Sequence, residues 1–230
     1  MRVLRQAAKD LFRLGFKLNA QNAISQLHSN LNEVSKALGT ALRETLQNNL
    51  TLEEKVWIDK IEFLREELNS SATEISIVDF GAGKPKLGLT NEDMYRGRVV
   101  YRSIGEVCRG ASKPYFWSLL LFKLIRKFKP SFCLELGTCL GISTSFQAAA
   151  LNLNGMGEIV TLEGADSLAS LAEGHFAALG LDNVSVVIGR FQDTLNDVLN
   201  VNRSVDFVFV DGHHDEKATI QYFEQLKPFV

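Results

Sequence analysis

Cysteine is scarce in this chain, with only Cys108, Cys133 and Cys139 among 230 residues. An odd number without a Cys-x-x-Cys spacing argues against a disulfide framework and against a zinc site, and suits a reducing cytoplasm. Long apolar runs are also missing. A membrane-spanning helix needs roughly 18 or more unbroken apolar residues, and the richest stretch, 115–125, is interrupted by Ser118 and Lys123. The sequence therefore does not read as an integral membrane protein. Nor is there an excess of either charge: 25 Lys and Arg face 27 Asp and Glu, a net charge of −2. Such a balance supplies no field to draw the chain to nucleic acid. The N-terminus has no apolar block or small-residue cleavage site of a secretory signal. It carries instead Arg2, Arg5, Lys9, Arg13 and Lys17 at helical spacing, a pattern shared by membrane-surface helices but more often the solvated face of a docking helix.

What the chain does have is a 46% share of hydrophobic residues, enough for one sizeable core with a helical appendage. Residues 1–72 read as a helical N-terminal region, with no glycine between Gly39 and Gly81 to punctuate it. Its clearest helix begins at the capping box Thr51-Leu52-Glu53-Glu54 and runs to about Asn69, with Leu52, Val56, Ile61, Leu64 and Leu68 as its apolar stripe. Residues 73–112 form a joining segment: a β-branched strand over 74–80, a polar loop, and a returning strand over 99–103. Residues 113–230 form the core unit, opened by a helix over 113–127 that ends before Pro130. Short apolar runs at 132–136, 159–162, 184–188 and 206–210 then alternate with helical patterns near 142–152, 167–178 and 192–199. That alternation predicts βαβ units and a doubly wound α/β fold with a mostly parallel sheet. The runs are apolar without clean alternation, as suits strands covered on both faces.

Open parallel sheets bind ligands beyond the carboxyl ends of their strands, so four short segments carry the chemistry. The first is Glu135-Leu136-Gly137-Thr138-Cys139-Leu140-Gly141-Ile142-Ser143. Its two glycines allow backbone to approach a ligand closely, and its helix N-terminus and Ser143 offer donors to a carboxylate. At the second strand end stands Glu163, where one carboxylate can accept both hydroxyls of a ribose. Gly189-Arg190-Phe191-Gln192-Asp193 comes after the third strand and offers an aromatic ring and an amide that both donates and accepts. The fourth ends in Asp211-Gly212-His213-His214-Asp215, rich in titratable groups. Either histidine can act as a general base near neutral pH, and His213 is the better candidate. Two histidines with two acids also suggest a transition-metal site, but adjacent residues of an extended turn usually point apart.

The spacing Glu135-x-Gly137-x-x-x-Gly141-x-Ser143 resembles the first motif of class I S-adenosylmethionine-dependent methyltransferases, closest to the small-molecule O-methyltransferases of the catechol type and the methyltransferase domain 24 group. The resemblance implies a Rossmann-like fold of which the chain holds the first four strands. It implies S-adenosylmethionine as cofactor, bound by Glu135, Gly137, Thr138, Gly141, Ser143, Glu163, Phe191, Gln192 and Asp211. Phe191 would lie beside adenine and Gln192 would bond its edge. Asp211 would sit beside the methyl donor, with Asp211 or His213 removing a proton. In metal-dependent members the acid at this position helps hold Mg²⁺, yet a full ligand set for that ion is not in the sequence. Gly110-Ala111-Ser112-Lys113 matches the place where related enzymes fold a lid over the methionine end of the cofactor.

Methyl transfer to an oxygen of a small-molecule acceptor is the expected function. A non-catalytic or degenerate cofactor-binding module is the alternative, because the complete fold has seven strands and this chain, ending at Lys227-Pro228-Phe229-Val230, reads as truncated. An NAD-dependent oxidoreductase is a weaker one, since Thr138, Cys139 and Leu140 separate the two glycines where its fingerprint needs Gly-x-Gly-x-x-Gly. Val78-Asp79-Phe80-Gly81-Ala82-Gly83 looks more like a nucleotide turn, but Lys84-Pro85-Lys86 stops any helix after it. It reads as a tight turn whose Asp79 can line a substrate entrance. The strand at 206–210 would form an apolar edge, and its cover is expected from the strand at 74–80, from a second copy in a homodimer, or from further chain.

Overall fold

The computed structural model describes residues 23–27, 32–81, 90–201 and 204–230. The basic stripe from Arg2 to Lys17 and the Lys84-Pro85-Lys86 segment lie outside them. Two N-terminal helices, α1 (Glu33–Leu46) and α2 (Leu52–Ser70), precede an antiparallel ribbon. The capping box expected at Thr51 is formed in both directions with Glu54. The expected stripe is buried in its second half only. Ile61 and Leu68 are buried and Leu64 packs against the core, whereas Leu52 is 85% and Val56 55% exposed, and Glu54 and Ile58 are buried in the first half instead.

An ion network selects that face. Lys123 on helix α5 (Tyr115–Phe128) is only 2% exposed and sets its ammonium 2.7 Å from Glu54 and 3.1 Å from Glu44 of α1. Arg126 adds a contact to Glu54 and Lys127 one to Glu44. Burial alone would raise the Glu54 carboxyl; hydrogen bonds from Lys123 and the Thr51 N–H, with the charges of Lys123 and Arg126, hold it below its usual value. Arg65, further along α2, donates to the Lys113 carbonyl and the Ser118 hydroxyl. These contacts fasten the N-terminal helices to the rest of the chain.

The ribbon pairs β1 (Glu74–Asp79) with β2 (Arg98–Ser103), Glu74 opposite Ser103 and Asp79 opposite Arg98. The short helix α3 (Asn91–Arg96) leads into β2, and α4 (Ile104–Ala111) comes after it. After α5 come β3 (Phe132–Leu136), α6 (Ile142–Asn154), β4 (Glu158–Glu163), α7 (Asp166–Leu179), β5 (Val184–Ile188), α8 (Phe191–Val201), β6 (Phe207–Val210) and α9 (Glu216–Leu226). Strands β3 to β6 form a parallel sheet in the order β5-β4-β3-β6, the doubly wound α/β architecture expected. One face is covered by residues of α2, α5, α6 and α7, the other by Leu195, Leu199, Tyr222 and Leu226 of α8 and α9. Strand β3, central and buried along its whole length, is apolar at every position but Glu135, as two covered faces demand.

Among the described residues β6 is an edge, paired with β3 on one side. The strand at 74–80 does not cover it: β1 pairs with β2 in a separate two-stranded sheet. All four strands run the same way, so Leu136, Glu163, Ile188 and Val210 end along one rim, and the turns leaving the four strands gather there.

Removing one member of a buried ion network strands the others. Lys123→Met should lower unfolding free energy by roughly 3 kcal/mol, read by urea denaturation, with no change in the far-ultraviolet helix signal at low urea.

Candidate functional site

Glu135 stands near the end of β3 with its side chain fully buried. Its Oε1 accepts from Ser143 Oγ at 2.7 Å and Gln147 Nε2 at 2.9 Å, and its Oε2 accepts from Thr161 Oγ1 at 2.9 Å and from Thr144 Oγ1. Thr161 has one proton and gives it to Glu135, so the 2.7 Å contact between the Thr138 and Thr161 hydroxyls is a donation by Thr138. Burial pushes the Glu135 carboxyl up to about 7 although the hydroxyls of Thr144, Ser143 and Thr161 pull it down. The side chain ties the end of β3 to the first turns of α6 and to β4. Ser143, expected to serve a ligand carboxylate, gives its hydroxyl proton to Glu135 instead.

The turn between them is shaped by the chain itself. A Cβ on Gly137, at φ +112°, would lie 2.6 Å from the Asp211 carbonyl oxygen, and one on Gly141, at φ +80°, would lie 2.7 Å from the Phe176 ring. These glycines make room for the end of β6 and for helix α7. The Asp211 N–H in turn donates to the Leu136 carbonyl at 2.8 Å.

A cavity of about 880 Å³ opens over this rim, within the size range of small-molecule sites. Gly137, Thr138, Ser143, Glu163, Phe191, Gln192, Asp211 and His213 all line it, so the structure brings together the residues expected from four strand ends. Glu135 and Gly141 are not part of its wall. Glu163 is held there by backbone donors, Cys139 N–H at 2.7 Å on Oε2 and Ala165 N–H at 3.0 Å on Oε1. Burial raises its carboxyl against the pull of those donors. The acid is not the cap of the next helix, whose N-cap is Ala165. The carboxylate keeps acceptor capacity for a ligand beyond these bonds.

Asp211 faces a partner that sequence reasoning left without a role. Lys113 Nζ lies 2.6 Å from Asp211 Oδ1, both side chains lining the cavity. The sequence signal was the resemblance of Gly110 to Lys113 to a lid segment; nothing in its spacing names Asp211. The ribbon supplies a whole wall with Ile77, Asp79, Phe80, Arg98 and Arg102, and Asp79, expected at an entrance, pairs there with Arg98 at 3.1 Å. Across the mouth Arg190 donates to the Tyr95 carbonyl at 2.7 Å and stacks 3.6 Å from the Tyr95 ring.

His213 and His214 both take left-handed backbone angles, φ +64° and +57°. Tyr222 gives its phenolic proton to Gln192 Oε1 at 3.3 Å, so the 2.8 Å contact with His213 is a donation from Nδ1–H to the phenol oxygen. The lone pair is then on Nε2, which is buried and without a partner among the described residues. Neither ring nitrogen is open to a substrate proton in this arrangement. Burial, only partly offset by Asp215, lowers the imidazole below its usual value. Phe191 is 8% exposed, its ring edge-on to Tyr222 at 5.7 Å and pressed against Gly212. Among the described residues no group of three or more His, Cys, Asp and Glu side chains is arranged to hold a metal ion. The side chains at Asp211 do not fit a Mg²⁺ site: the neighbour there is an ammonium, not further oxygen ligands.

A doubly wound sheet with an acid at the second strand end and a cavity along its carboxyl rim is the arrangement in which open α/β sheets bind ligands. Residues 134–230 match the family model of a methyltransferase domain. Similar solved structures include an O-methyltransferase from Bacillus cereus in complex with SAH, 28% identical, with 52% of this chain and 54% of that one covered and a TM-score of 0.48. Another is the O-methyltransferase TomG from Streptomyces achromogenes, involved in tomaymycin synthesis and in complex with SAM, 29% identical over 51% and 52% of the two chains, with a TM-score of 0.47. The match thus spans about half the length of those proteins. No curated protein matches the chain.

The lowered His213 titration has a sign. An imidazole that ionises near 6.5 when unfolded but lower when folded leaves the unfolded state holding more protons just below 6.5, so stability falls as pH drops through that window. The wild-type melting temperature should therefore fall more between about pH 7 and 5 than that of His213→Asn, asparagine being tolerant of positive φ. Equal slopes in calorimetry would show that His213 titrates normally.

Proposed function

We infer that the cavity binds S-adenosylmethionine and that the chain transfers its methyl group to an oxygen of a small-molecule acceptor. The observation that carries this reading is Glu163, set in the cavity within the segment that matches a methyltransferase domain, its carboxylate directed by backbone N–H groups and with acceptor capacity left over. A carboxylate fixed in this way suits the paired hydroxyls of a ribose. The choice of oxygen as acceptor rests on the resemblance of the Glu135 to Ser143 motif to catechol-type enzymes. Bound at this rim, the cofactor supplies an electrophilic sulfonium methyl for in-line attack.

The chain's own contribution is positioning. Glu135 braces the turn under the cofactor without touching it, while Gly137 and Gly141 keep that turn tight against β6 and α7. Asp211 is the carboxylate best placed to take the acceptor's proton, and Lys113, with one N–H on Asp211, has two more to direct at the acceptor oxygen. His213 supports Gln192 through Tyr222 rather than acting as base. No step needs a divalent cation in this scheme. Three free cysteines and a balanced charge favour a cytoplasmic setting without a nucleic-acid partner. Among the described residues no helix is long and apolar enough to cross a membrane. A homodimer is one means of covering the β6 edge.

Isothermal titration with S-adenosylmethionine and S-adenosylhomocysteine tests the site, with NADH as control. Saturable binding of the first two and none of NADH is expected, and Glu163→Ala should weaken both by about a hundredfold, the loss of two charge-assisted hydrogen bonds. Absence of binding by folded protein would overturn the reading. In a screen of hydroxylated acceptors, Lys113→Met should bind S-adenosylhomocysteine within about threefold of wild type yet turn over substrate at least about tenfold more slowly.

A further inference from the structure

Resting on that reading of the cavity, we propose that Phe80, carried by the β1–β2 ribbon, is the aromatic wall of the nucleoside end of the site, so that the ribbon is part of the cofactor pocket. The inference starts from a gap in the expected set. Phe191, the ring that the resemblance places beside adenine, packs against Tyr222 in a T-shaped pair and against Gly212, and is only 8% exposed. It reaches the cavity wall with little of its surface. The other phenylalanine lining the cavity is Phe80.

Two glycines fit Phe80 into place. A Cβ on Gly164 would come within 2.7 Å of Phe80 Cδ2, and one on Gly97 within 2.7 Å of Phe80 Cε1. The ring is therefore gripped along opposite edges, and what it has left for the cavity is a face. Gly164 directly succeeds Glu163, the residue assigned to the ribose, so this face stands one residue from the sugar, where the base must continue. A flat apolar face suits a purine, since stacking is available to any π-system without particular hydrogen bonds.

The ribbon is anchored well enough to hold a wall. Ser167 Oγ donates to the Ser76 carbonyl at 2.7 Å, tying β1 to α7. Arg98 pairs with Asp79 at 3.1 Å, next to Phe80 in the chain. Arg190 grips Tyr95 on the helix leading into β2.

Isothermal titration of the full chain with S-adenosylhomocysteine and with 5′-methylthioadenosine, which keeps the nucleoside but lacks the amino-acid end, tests the proposal. Phe80→Ala should weaken both ligands by the same factor, about tenfold, as expected for loss of one stacking platform. Gly164→Ala, which displaces the ring without removing it, should act in the same direction, and Phe80→Tyr should bind as wild type does. Melting temperatures of the variants identify any that fail to fold, in which case Gly164→Ala and Phe80→Tyr decide. Wild-type binding with Phe80→Ala or Gly164→Ala unchanged within about twofold would overturn this proposal alone. Tighter binding by Phe80→Ala would also overturn it, by showing that the ring fills the base's place. Failure of the wild type to bind either ligand would instead overturn the reading of the cavity, and this proposal with it.

Discussion

A carboxylate near the end of a fully buried strand must be surrounded by donors or give up its charge, and Glu135 has four of them. Three come from the first two turns of α6 and one from β4, so a single side chain fixes where the helix starts relative to two neighbouring strands. With that junction fixed, Gly137 can lie against the Asp211 carbonyl and the Cys139 N–H can reach Glu163. The positions of both acids in the cavity thus depend on one that never enters it. Burial and hydroxyl donors act on Glu135 in opposite directions, and burial is the larger effect.

The cavity is close to neutral by pairing rather than by lack of charge. Lys113 with Asp211, Arg98 with Asp79 and Arg190 with Asp193 set three cations against three acids around the mouth. Glu163 is satisfied by backbone donors instead, which leaves it the acid with spare acceptor capacity.

The parallel sheet was legible because β3 to β6 are apolar runs one helix apart, a pattern few other folds produce. The strand-end segments came from topology and the cofactor set within them from the resemblance, and all but Glu135 and Gly141 of that set line the cavity. What could not be read were choices made by tertiary contact. At the start of α2 the buried positions are Glu54, which meets Lys123 69 residues away, and Ile58, rather than the expected Leu52 and Val56. Lys113 carried no local signal for Asp211. The contact of His213 with Tyr222, nine residues further on, is one that no spacing rule announces. The ribbon at 74–103 was visible as two strands, but not as a wall, since a strand pair does not announce what it packs against.

That wall lies outside the stretch that matches the methyltransferase family, which begins at residue 134. The contacts that seat it join residues 91 and 95 positions apart, Ser76 with Ser167 and Tyr95 with Arg190. Contacts of such long sequence separation carry a high loop-closure cost and tend to form late in folding. The family segment can build its sheet from local βαβ pairings, yet the pocket above that sheet is finished only when the ribbon that precedes it in the chain comes back to it. Grafting residues 134–230 onto another protein would carry the strands and their acids and leave the cavity open on one side.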